Sequence, residues 1–452
     1  MSGRVLAVVL AAGKGTRMKS ERPKVLHLLG GRPMLWYVLR ALRDAGVAEA
    51  VVVASPALEE HVEAIARDAG MPATRVVLQE PQLGTGHAVQ VALAGTAERD
   101  GTVLVLNGDM PLIDAALVRA VVAARVSALA LVTAKMPLPS SFGRIVRDDG
   151  SVRRIVEERD ATDDERAIDE MNAGLYAYDE RKLRAAIAEL RADNAQREYY
   201  LTDTIAGLVA RGERVVPVVA PDYRAVLGVN DRAELAAAAA RLNALICERH
   251  MRNGVTIADP ATTYLEPDLE IAADVTILPN TTIGRGTAIG AHSEIGPNAR
   301  LQAARVGEHA VIADSVVVDS EIGDFALVGP WAHVRGGSVV GTGCRVGNFV
   351  ELKNARLAPG VKAGHLTYLG DAEVGSRVNI GAGTITCNYD GAGKHRTEIG
   401  DDAFIGSNSS LVAPVRIGAN ALTGAGSVVL RDVPDGARVA GNPAKPLEKK
   451  ET

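Results

Sequence analysis

The sequence is poor in cysteine and in aromatic residues, and both shortages exclude classes of protein. Cys247, Cys344 and Cys387 form no CxxC pair, so free thiols in a reducing compartment are expected rather than a disulfide framework or a zinc site. Aromatic residues make up 3% of the chain, which leaves few stacking platforms for single-stranded nucleic acid. The sequence therefore predicts neither a disulfide-rich secreted domain nor a nucleic-acid-binding protein.

A long hydrophobic run and an excess of positive charge are also missing. The apolar run from Val5 to Ala12 is too short to span a membrane and has no cleavage pattern, so it is interpreted as a buried strand. The formal net charge of -5 disfavours nucleic acid or an anionic membrane as the main partner. The 452 residues, 47% hydrophobic and 23% charged, indicate a cytoplasmic globular protein of two or three domains without membrane insertion.

The first half of the chain has the pattern of an α/β domain. Up to about residue 220, short β-branched runs at 51, 103, 128 and 215 alternate with helical stretches. Such continuous apolar strands are typical of a mostly parallel sheet covered on both faces, which predicts a doubly wound, Rossmann-like domain over residues 1–230. The stretch "GRIVRDDGSVRRIVEE" from Gly143 is the exception and predicts a hairpin around an Asp-Asp-Gly turn.

Residues 231–253 are predicted to form a linker helix. They are rich in helix formers, begin with Asp231 and are followed by Gly254. At 1.5 Å per residue this helix would be roughly 35 Å long.

A hexapeptide period dominates residues 254–452. Aliphatic residues recur at every sixth position, with six consecutive matches twice, from Ile271 to Leu301 and from Ile322 to Leu352. This period predicts a left-handed parallel β-helix, whose glycines and asparagines serve tight corners where φ is often positive. Interruptions at 302–321, 353–373 and 381–398 are expected to be looped-out segments or irregular coils. Because the flat faces of such a prism can associate side by side, a homotrimer is predicted.

The segment "LAAGKGTRM" from Leu10 to Met18 follows the first predicted strand. It matches neither the Walker loop nor the dinucleotide fingerprint, so on its own it could be a plain strand-to-helix turn. Asp109, in "NGDMP", follows another strand at the same sheet edge, where doubly wound sheets bind ligands. An aspartate near phosphates implies a cation such as Mg²⁺, although a turn or helix-cap aspartate is an equal alternative.

Several motifs taken together resemble one enzyme family. "LAAGKGTRM" with "RPKVLH" is similar to the signature of sugar-nucleotide pyrophosphorylases. The segments "LQEPQLGTGHA", "NGDMP", "FGRIV", "IVEERDAT", "MNAGLYAY", "REYYLTD" and "GVNDR" follow in the order and spacing of its bifunctional N-acetylglucosamine-1-phosphate uridylyltransferase and glucosamine-1-phosphate acetyltransferase members. The resemblance covers nearly the whole chain.

The resemblance implies uridylyl transfer from UTP to N-acetylglucosamine-1-phosphate in the first domain. Lys24 and Arg17 would be catalytic at the phosphates, and Asp109 and Asn230 would share Mg²⁺. Asn230 could equally be an ordinary helix cap. The positions that match the family's nucleotide-sugar site are Leu10, Ala11, Ala12, Gly13, Lys24, Gln79, Gly84, Thr85, Asn107, Gly108, Asp109, Gly143, Glu157, Asn172 and Asn230.

The resemblance also implies acetyl transfer from acetyl-CoA to glucosamine-1-phosphate in the second domain. Its polar residues concentrate in the interrupted repeats, and a scaffold would not need them. His365 matches the general base, although alone it would be interpreted as a structural histidine. Arg335, Lys353, Tyr368 and Asn379 would hold the sugar phosphate. The positions assigned to acetyl-CoA are Ala382, Asn388, Tyr389, Lys394, Ser407, Ala425 and Lys445.

Two positions depart from the family pattern. Gly336 follows Arg335 where the family commonly has proline, and Asn442 stands where relatives often have an arginine for coenzyme A. The main hypothesis is a bifunctional enzyme that makes UDP-N-acetylglucosamine for cell-envelope polysaccharide. The first alternative is a single-activity sugar nucleotidyltransferase whose β-helix only trimerises or binds a regulator. A non-catalytic assembly protein is a third.

Overall fold

The structure, a computed structural model, describes residues 4–98 and 100–447. The chain divides into two compact units, Met1–Ala240 and Arg241–Thr452. The domain boundaries at residues 230 and 253 that the sequence suggests stay predictions. Within the described residues, no helix is long and apolar enough to cross a membrane.

The first unit contains a twisted, mostly parallel sheet, as predicted. The strands of the first unit are β1 (Val5–Leu10), β2 (Leu28–Leu29), β3 (Arg32–Pro33), β4 (Glu49–Ala54), β5 (Thr74–Leu78), β6 (Thr102–Asn107), β7 (Leu129–Lys135), β8 (Arg144–Asp148), β9 (Ser151–Val156), β10 (Glu170–Asp179) and β11 (Val215–Val219), and β2 and β3 pair with each other outside this sheet. The central order is β11-β7-β10-β6-β1-β4-β5, and β10 alone among these runs antiparallel to its neighbours. Ala7, Val8 and Val9 of β1 are fully buried, because helices cover both faces of the sheet.

Most helices of this part of the chain bury apolar residues, and some of them begin at a side-chain cap. They are α1 (Met34–Asp44), α2 (Pro56–Asp68), α3 (Thr85–Ala94), α4 (Ala115–Ala124), α5 (Asp163–Arg166), α6 (Glu180–Ile187), α7 (Asp203–Ala210) and α8 (Arg232–Arg252). At α4 the Asp114 carboxylate accepts the Leu117 N–H at 2.7 Å, and Asp179 accepts the Lys182 N–H at the start of α6. These side chains satisfy amide groups that the first helical turn leaves unpaired.

The hairpin and the helix before residue 254 are both present where the sequence predicts them. β8 and β9 pair antiparallel around Asp149 and Gly150, whose positive φ values of 46° and 75° fit a tight hairpin turn. Helix α8 is capped by Asp231, whose carboxylate accepts the Glu234 N–H at 2.8 Å, and it is followed by Gly254 with φ of 92°. The left-handed conformation that ends the helix is one that glycine adopts without strain.

The second unit is a parallel β-helix with very short strands. They are β12 (Thr256–Ile257), β13 (Tyr264–Leu265), β14 (Glu270–Ile271), β15 (Thr276–Ile277), β16 (Thr282–Ile283), β17 (Ala288–Ile289), β18 (Glu294–Ile295), β19 (Arg300–Val306), β20 (Val311–Ile312), β21 (Val316–Ile322), β22 (Leu327–Val328), β23 (His333–Arg335), β24 (Val339–Val340), β25 (Arg345–Asn348), β26 (Glu351–Lys353), β27 (Arg356–Leu357), β28 (Lys362–His365), β29 (Tyr368–Gly370), β30 (Ala372–Val374), β31 (Asn379–Ile380), β32 (Ile385–Cys387), β33 (Thr397–Ile399), β34 (Phe404–Ile405), β35 (Ser410–Val412), β36 (Val415–Ile417), β37 (Leu422–Thr423), β38 (Val428–Val429), β39 (Arg438–Ala440) and β40 (Lys445–Pro446). Each strand pairs in parallel with the strand one coil further on, except that β40 runs antiparallel to β39. The periodic aliphatic side chains fill the interior, and Ile277, Ile283 and Ile295 are fully buried.

The three interruptions of the period have two different structures. The coil continues through 302–321 and 353–373, but some of its sides are one residue shorter than in a regular coil. The shortening is seen in the parallel pairing of Leu301 with Val317 and of Leu352 with Leu369. These two segments are the irregular coils that the sequence allowed. In 381–398, by contrast, residues 388–396 leave the coil between β32 and β33 and form a loop.

The positive φ expected at tight corners occurs at asparagines such as Asn280 and Asn298 and at glycines such as Gly286, whereas most glycines directly after the aliphatic positions serve close packing. The glycines that follow the aliphatic positions are Gly284, Gly290, Gly296, Gly323, Gly329, Gly406 and Gly418, and among them Gly296 and Gly329 have positive φ. A Cβ on Gly290 would lie 2.7 Å from the backbone of Gly307 on the next coil. Glycine is needed there because the backbones of adjacent coils approach too closely for a side chain.

Candidate active sites

The loop after β1 forms one wall of a cleft at the carboxyl edge of the first unit's sheet. Gly108 N–H donates to Leu10 O at 2.8 Å, which ties the loop to the end of β6. Gly15 has φ of 58°, and a Cβ there would lie 2.8 Å from Lys24 Cβ. A Cβ on Gly13 would meet nothing within 4 Å, so this part of the loop stands open to a ligand.

Two adjoining cavities bring the predicted residues of the first domain together. Their volumes are about 520 Å³ and about 280 Å³. The predicted residues that line the larger cavity are Leu10, Ala11, Ala12, Gly13, Arg17, Lys24, Gln79, Gly84, Thr85, Asn107, Asp109 and Asn230. The smaller cavity is lined by Gly143, Glu157 and Asn172 and shares Asp109 and Asn230 with the larger one. Gly108 lies behind the cleft wall, where its Cβ position is 3.2 Å from Ala11 Cβ.

Asp109 and Asn230 surround a positive charge in the structure. Lys24 Nζ donates to Asp109 Oδ2 and, at 3.1 Å, to Asn230 Oδ1. The other carboxylate oxygen, Asp109 Oδ1, is buried without a hydrogen-bond partner among the described residues. Oxygen ligands of this kind fit Mg²⁺, which completes its shell with phosphate and water. Residues 4–98 and 100–447 contain no cluster of three or more His, Cys, Asp or Glu side chains suited to a metal.

The smaller cavity contains a buried carboxyl group and a fixed amide. Burial raises the pKa of Glu157, although its Oε1 accepts a hydrogen bond from Thr202 Oγ1 at 3.1 Å. Asn172 Nδ2 donates to the hydroxyl of Tyr176 at 2.6 Å, and Asn172 Oδ1 accepts from Gly174 N–H at 3.2 Å. The pocket thus offers acceptors and donors in fixed orientations, which is how a site discriminates between polar ligands.

Several cleft residues were not predicted from the sequence. Gln82 Nε2 donates to Ala12 O at 2.6 Å and so holds the loop after β1. Glu198 lines the larger cavity, and Thr202 and Tyr176 line the smaller one. Glu198 and Thr202 lie in "REYYLTD" and Tyr176 lies in "MNAGLYAY". The signal was therefore in the motifs, but it did not distinguish which of their residues face the cleft.

In the second unit, two of the residues predicted to hold a sugar phosphate form a cationic group with Lys394. The group consists of Arg335, Lys353 and Lys394. Arg335 and Lys353 are register partners on β23 and β26. Contact with the ammonium of Lys394, followed by the charge of Arg335, lowers the pKa of Lys353. Glu351 pairs with Arg335 from the same strand as Lys353. Because the cationic group holds like charges close together, it favours the binding of a multiply charged anion such as phosphate.

His365 is exposed at the end of β28. Its Nδ1 contacts Oδ1 of Asn348, the register partner one coil earlier on β25. Sequence reasoning missed Asn348, since the two residues are seventeen positions apart and only the coil stacking makes them neighbours. Tyr368 follows around the next corner on β29, and Asn379 lies on β31, which pairs with the strand of His365. The described contacts do not join Asn379 directly to His365.

The looped segment 388–396 lies against the same coils. A Cβ on Gly370 would lie 2.3 Å from Tyr368 Oη and 2.7 Å from Asn388 Nδ2, so these two side chains meet above Gly370. Asn388 Nδ2 also donates to Asp371. Burial by itself would raise the pKa of Asp371. Hydrogen bonds from Asn354 and Asn388 outweigh burial, and the pKa of Asp371 is lowered. Tyr389 and Lys394 form a bridge that closes the loop.

The small residues assigned to acetyl-CoA form a column along the β-helix. Asn408 N–H donates to Ala382 O at 2.7 Å, and Gly426 N–H donates to Ser407 O at 2.8 Å, so Ala382, Ser407 and Ala425 occupy one corner on successive coils. All three side chains in this column are small. Lys445 lies beyond them on β40 and pairs with Ala440.

The chain is similar to known families along most of its length. Residues 7–206 match the MobA-like NTP transferase domain, residues 261–365 the GMPPB C-terminal domain and residues 396–431 the bacterial transferase hexapeptide (six repeats). A relative from Brevibacillus brevis named "Bifunctional protein GlmU" is 47% identical, over 96% of this chain and 94% of its own. Relatives of the same name from Trichlorobacter lovleyi and Heliobacterium modesticaldum are 46% and 48% identical, over 97% and 95% of this chain and 96% and 94% of their own.

Proposed function

The chain belongs to the family of bifunctional GlmU proteins, and from this membership we propose that it makes UDP-N-acetylglucosamine in two transfers. The second unit acetylates glucosamine-1-phosphate with acetyl-CoA. The first unit then joins the product to the uridylyl group of UTP and releases pyrophosphate. The observation that carries the proposal is that a chain similar over nearly its whole length to bifunctional relatives has one candidate site in each unit. The first unit has a cleft lined by backbone and basic side chains, and the second has both a histidine fixed by Asn348 and a cationic group.

In the uridylyl transfer, an oxygen of the sugar phosphate attacks the α-phosphorus of UTP, and the bond to the pyrophosphate oxygen breaks. The open loop at Gly13 offers backbone N–H groups to phosphate oxygens, while Arg17 and Lys24 supply positive charge. Mg²⁺ held by Asp109 and Asn230 would neutralise charge on the phosphates. Gly143, Glu157 and Asn172 would orient the sugar so that the attacking oxygen is aligned.

In the acetyl transfer, the amine of glucosamine-1-phosphate attacks the thioester carbonyl, and coenzyme A leaves as the thiol. Asn348 Oδ1 accepts a hydrogen bond from the N–H of His365 Nδ1, so His365 Nε2 is free to take the proton that the amine loses. Arg335 and Lys353 would bind the phosphate of the sugar, with Lys394 close by. Tyr368 and Asn379 would contact the sugar, and the column of Ala382, Ser407 and Ala425 would hold the coenzyme.

A single-activity nucleotidyltransferase with a scaffolding β-helix is the alternative. The polar group around His365 and the bifunctional naming of full-length relatives both favour two activities. We further propose a homotrimer, which the flat faces of the hexapeptide repeats support. We place the enzyme in the cytoplasm, where its free cysteines would stay reduced, and its product in cell-envelope polysaccharide synthesis, including peptidoglycan and lipopolysaccharide.

One assay separates the bifunctional enzyme from the single-activity nucleotidyltransferase. The protein is incubated with glucosamine-1-phosphate, acetyl-CoA, UTP and Mg²⁺, each reagent is omitted in turn, and free thiol and pyrophosphate are followed separately. We expect thiol release without UTP or Mg²⁺, and pyrophosphate release only when acetyl-CoA, UTP and Mg²⁺ are all present. If UTP released pyrophosphate when N-acetylglucosamine-1-phosphate was supplied with Mg²⁺, but no mixture released thiol, the single-activity alternative would be supported instead.

A further inference from the structure

Arg144 is a fully buried arginine behind the smaller cavity of the first unit. It begins β8, and its side chain is 2% exposed. Its guanidinium donates to two backbone carbonyls, Phe142 O and, at 2.8 Å, Ser140 O. Its Nη2 also lies 2.6 Å from Oε2 of Glu158. A charged group is rarely buried to this degree unless it is paired, so these contacts define what holds it.

The contacts of Arg144 connect the two walls of the proposed sugar pocket. Ser141, Phe142 and Gly143, which line the smaller cavity, lie within or next to the loop whose carbonyls Arg144 binds. Glu158, on the other side of Arg144, directly follows Glu157, whose carboxyl group lines the same cavity.

The backbone adds a third connection to the same pocket. Arg144 is the register partner of Met171, the residue before Asn172, and Asn172 N–H donates to Gly143 O at 2.8 Å. A Cβ on Gly143 would lie 3.3 Å from Glu157 Oε2, so the loop and the glutamate are packed closely.

We propose that Arg144 is a positioning residue that sets the spacing between Gly143, Glu157 and Asn172, and thereby the affinity of the cleft for the sugar phosphate. This inference rests on the proposed uridylyltransferase function. Arg144 touches the pocket only through its neighbours, so it acts on how the sugar is held and leaves the phosphate-binding loop after β1 unchanged.

The planar guanidinium explains why arginine is needed at this position. It presents N–H donors in fixed directions from Nη1 and Nη2, which allows one side chain to bind two carbonyls and, at the same time, to pair by charge with the Glu158 carboxylate. A lysine would keep the charge, but its three N–H donors share one nitrogen, so it could not occupy the two separate positions from which Nη1 and Nη2 bind the carbonyls. Methionine would fill the same space with no donor, and would leave both carbonyls and Glu158 without their partner.

The test measures uridylyl transfer by the full-length protein and its Arg144→Lys and Arg144→Met variants. We expect KM for N-acetylglucosamine-1-phosphate to rise by about tenfold or more, while KM for UTP changes by less than about twofold. Arg166→Ala is the matched control, because Arg166 contacts the same Glu158 from the exposed side and does not bind the 140–142 carbonyls. That variant should keep both KM values.

Glu158→Gln keeps the test decisive if the Arg144 variants do not fold. Glu158 is 35% exposed, so it tolerates substitution more easily than buried Arg144. Glu158→Gln removes the negative charge that pairs with Arg144, so KM for the sugar phosphate should again rise selectively. Folded variants with unchanged KM for the sugar phosphate, or with equal rises for both substrates, would overturn the proposal. A parent protein that forms no UDP-N-acetylglucosamine from UTP and the sugar phosphate would instead overturn the proposed function.

Discussion

At the scale of single residues, Glu157 couples the sugar pocket to pH. Burial raises its pKa above the usual value for glutamate, and nearby Asp203 and Asp160 add to the shift, while the hydrogen bond from Thr202 opposes it. Because the pKa is raised, the carboxylate takes up a proton at a higher pH than an exposed glutamate would. The protonated form has lost an acceptor for sugar hydroxyl groups.

We therefore expect KM for N-acetylglucosamine-1-phosphate to increase as the pH is lowered through the raised pKa of Glu157, with KM for UTP much less affected. Steady-state kinetics of uridylyl transfer over a pH series would measure this. In Glu157→Gln the KM should be higher throughout and its pH dependence should disappear. A KM in the parent protein that falls or stays constant as the pH is lowered contradicts the assignment.

Asn348 is the residue on which the orientation of His365 depends. In Asn348→Ala the imidazole loses its Nδ1 partner, and we expect kcat for acetyl transfer to fall roughly tenfold to a hundredfold, with uridylyl transfer unchanged. Asn348→Asp keeps an acceptor and should retain more activity. Its negative charge favours the imidazolium form, so the pH profile of acetyl transfer should move to higher pH. Equal loss in both variants would show that Asn348 does more than position the ring.

At the scale of elements, the β-helix depends on how closely its coils approach. Gly347 and Gly364 occupy neighbouring coils on β25 and β28. A Cβ on Gly347 would lie 2.0 Å from Gly364 O, whereas a Cβ on Gly364 would meet nothing within 4 Å. The same residue type at matched positions therefore has two different packing environments.

This difference makes the two glycines a matched pair for a stability test. Gly347→Ala should lower the free energy of unfolding by about 1–3 kcal/mol, because the backbone of the next coil has to move. Gly364→Ala should change it by no more than about 0.5 kcal/mol. Thermal or denaturant unfolding of both variants measures the effect, and similar losses in the two would mean that coil spacing does not determine the need for glycine.

At the scale of the whole molecule, each unit contains its own candidate site, and the proposed intermediate is a free sugar phosphate. An Asp109→Ala protein should still acetylate, and a His365→Ala protein should still transfer the uridylyl group. Mixed together, the two variants should convert glucosamine-1-phosphate to UDP-N-acetylglucosamine, whereas a protein with both substitutions should not. Product formation can be followed by chromatography of the nucleotide sugars. A mixture that releases thiol but forms no nucleotide sugar would argue against two independent sites.

Much of this architecture could be predicted because it depends on local pattern. In the β-helix, each side of a coil buries one aliphatic residue, so a period of six specifies the core directly. The buried strands of the first unit, the Asp149–Gly150 turn and the start of α8 at Asp231 likewise follow from short stretches of sequence. The cleft residues were predictable because the family motifs keep them together, and the structure brings nearly all of them to two adjoining cavities.

Only the tertiary structure decided which neighbours those residues meet. By sequence, Glu157 and Glu158 are an equivalent charged pair, yet one lines the cleft and the other pairs with buried Arg144. The stacking of one coil on another likewise decides three features of the β-helix. It decides which interruptions are shortened coils, why Gly290 must be glycine, and that Asn348 contacts His365. The physical reason is that periodicity records which side chains face inward, whereas hydrogen bonds and close backbone contacts form between segments that are distant in the chain.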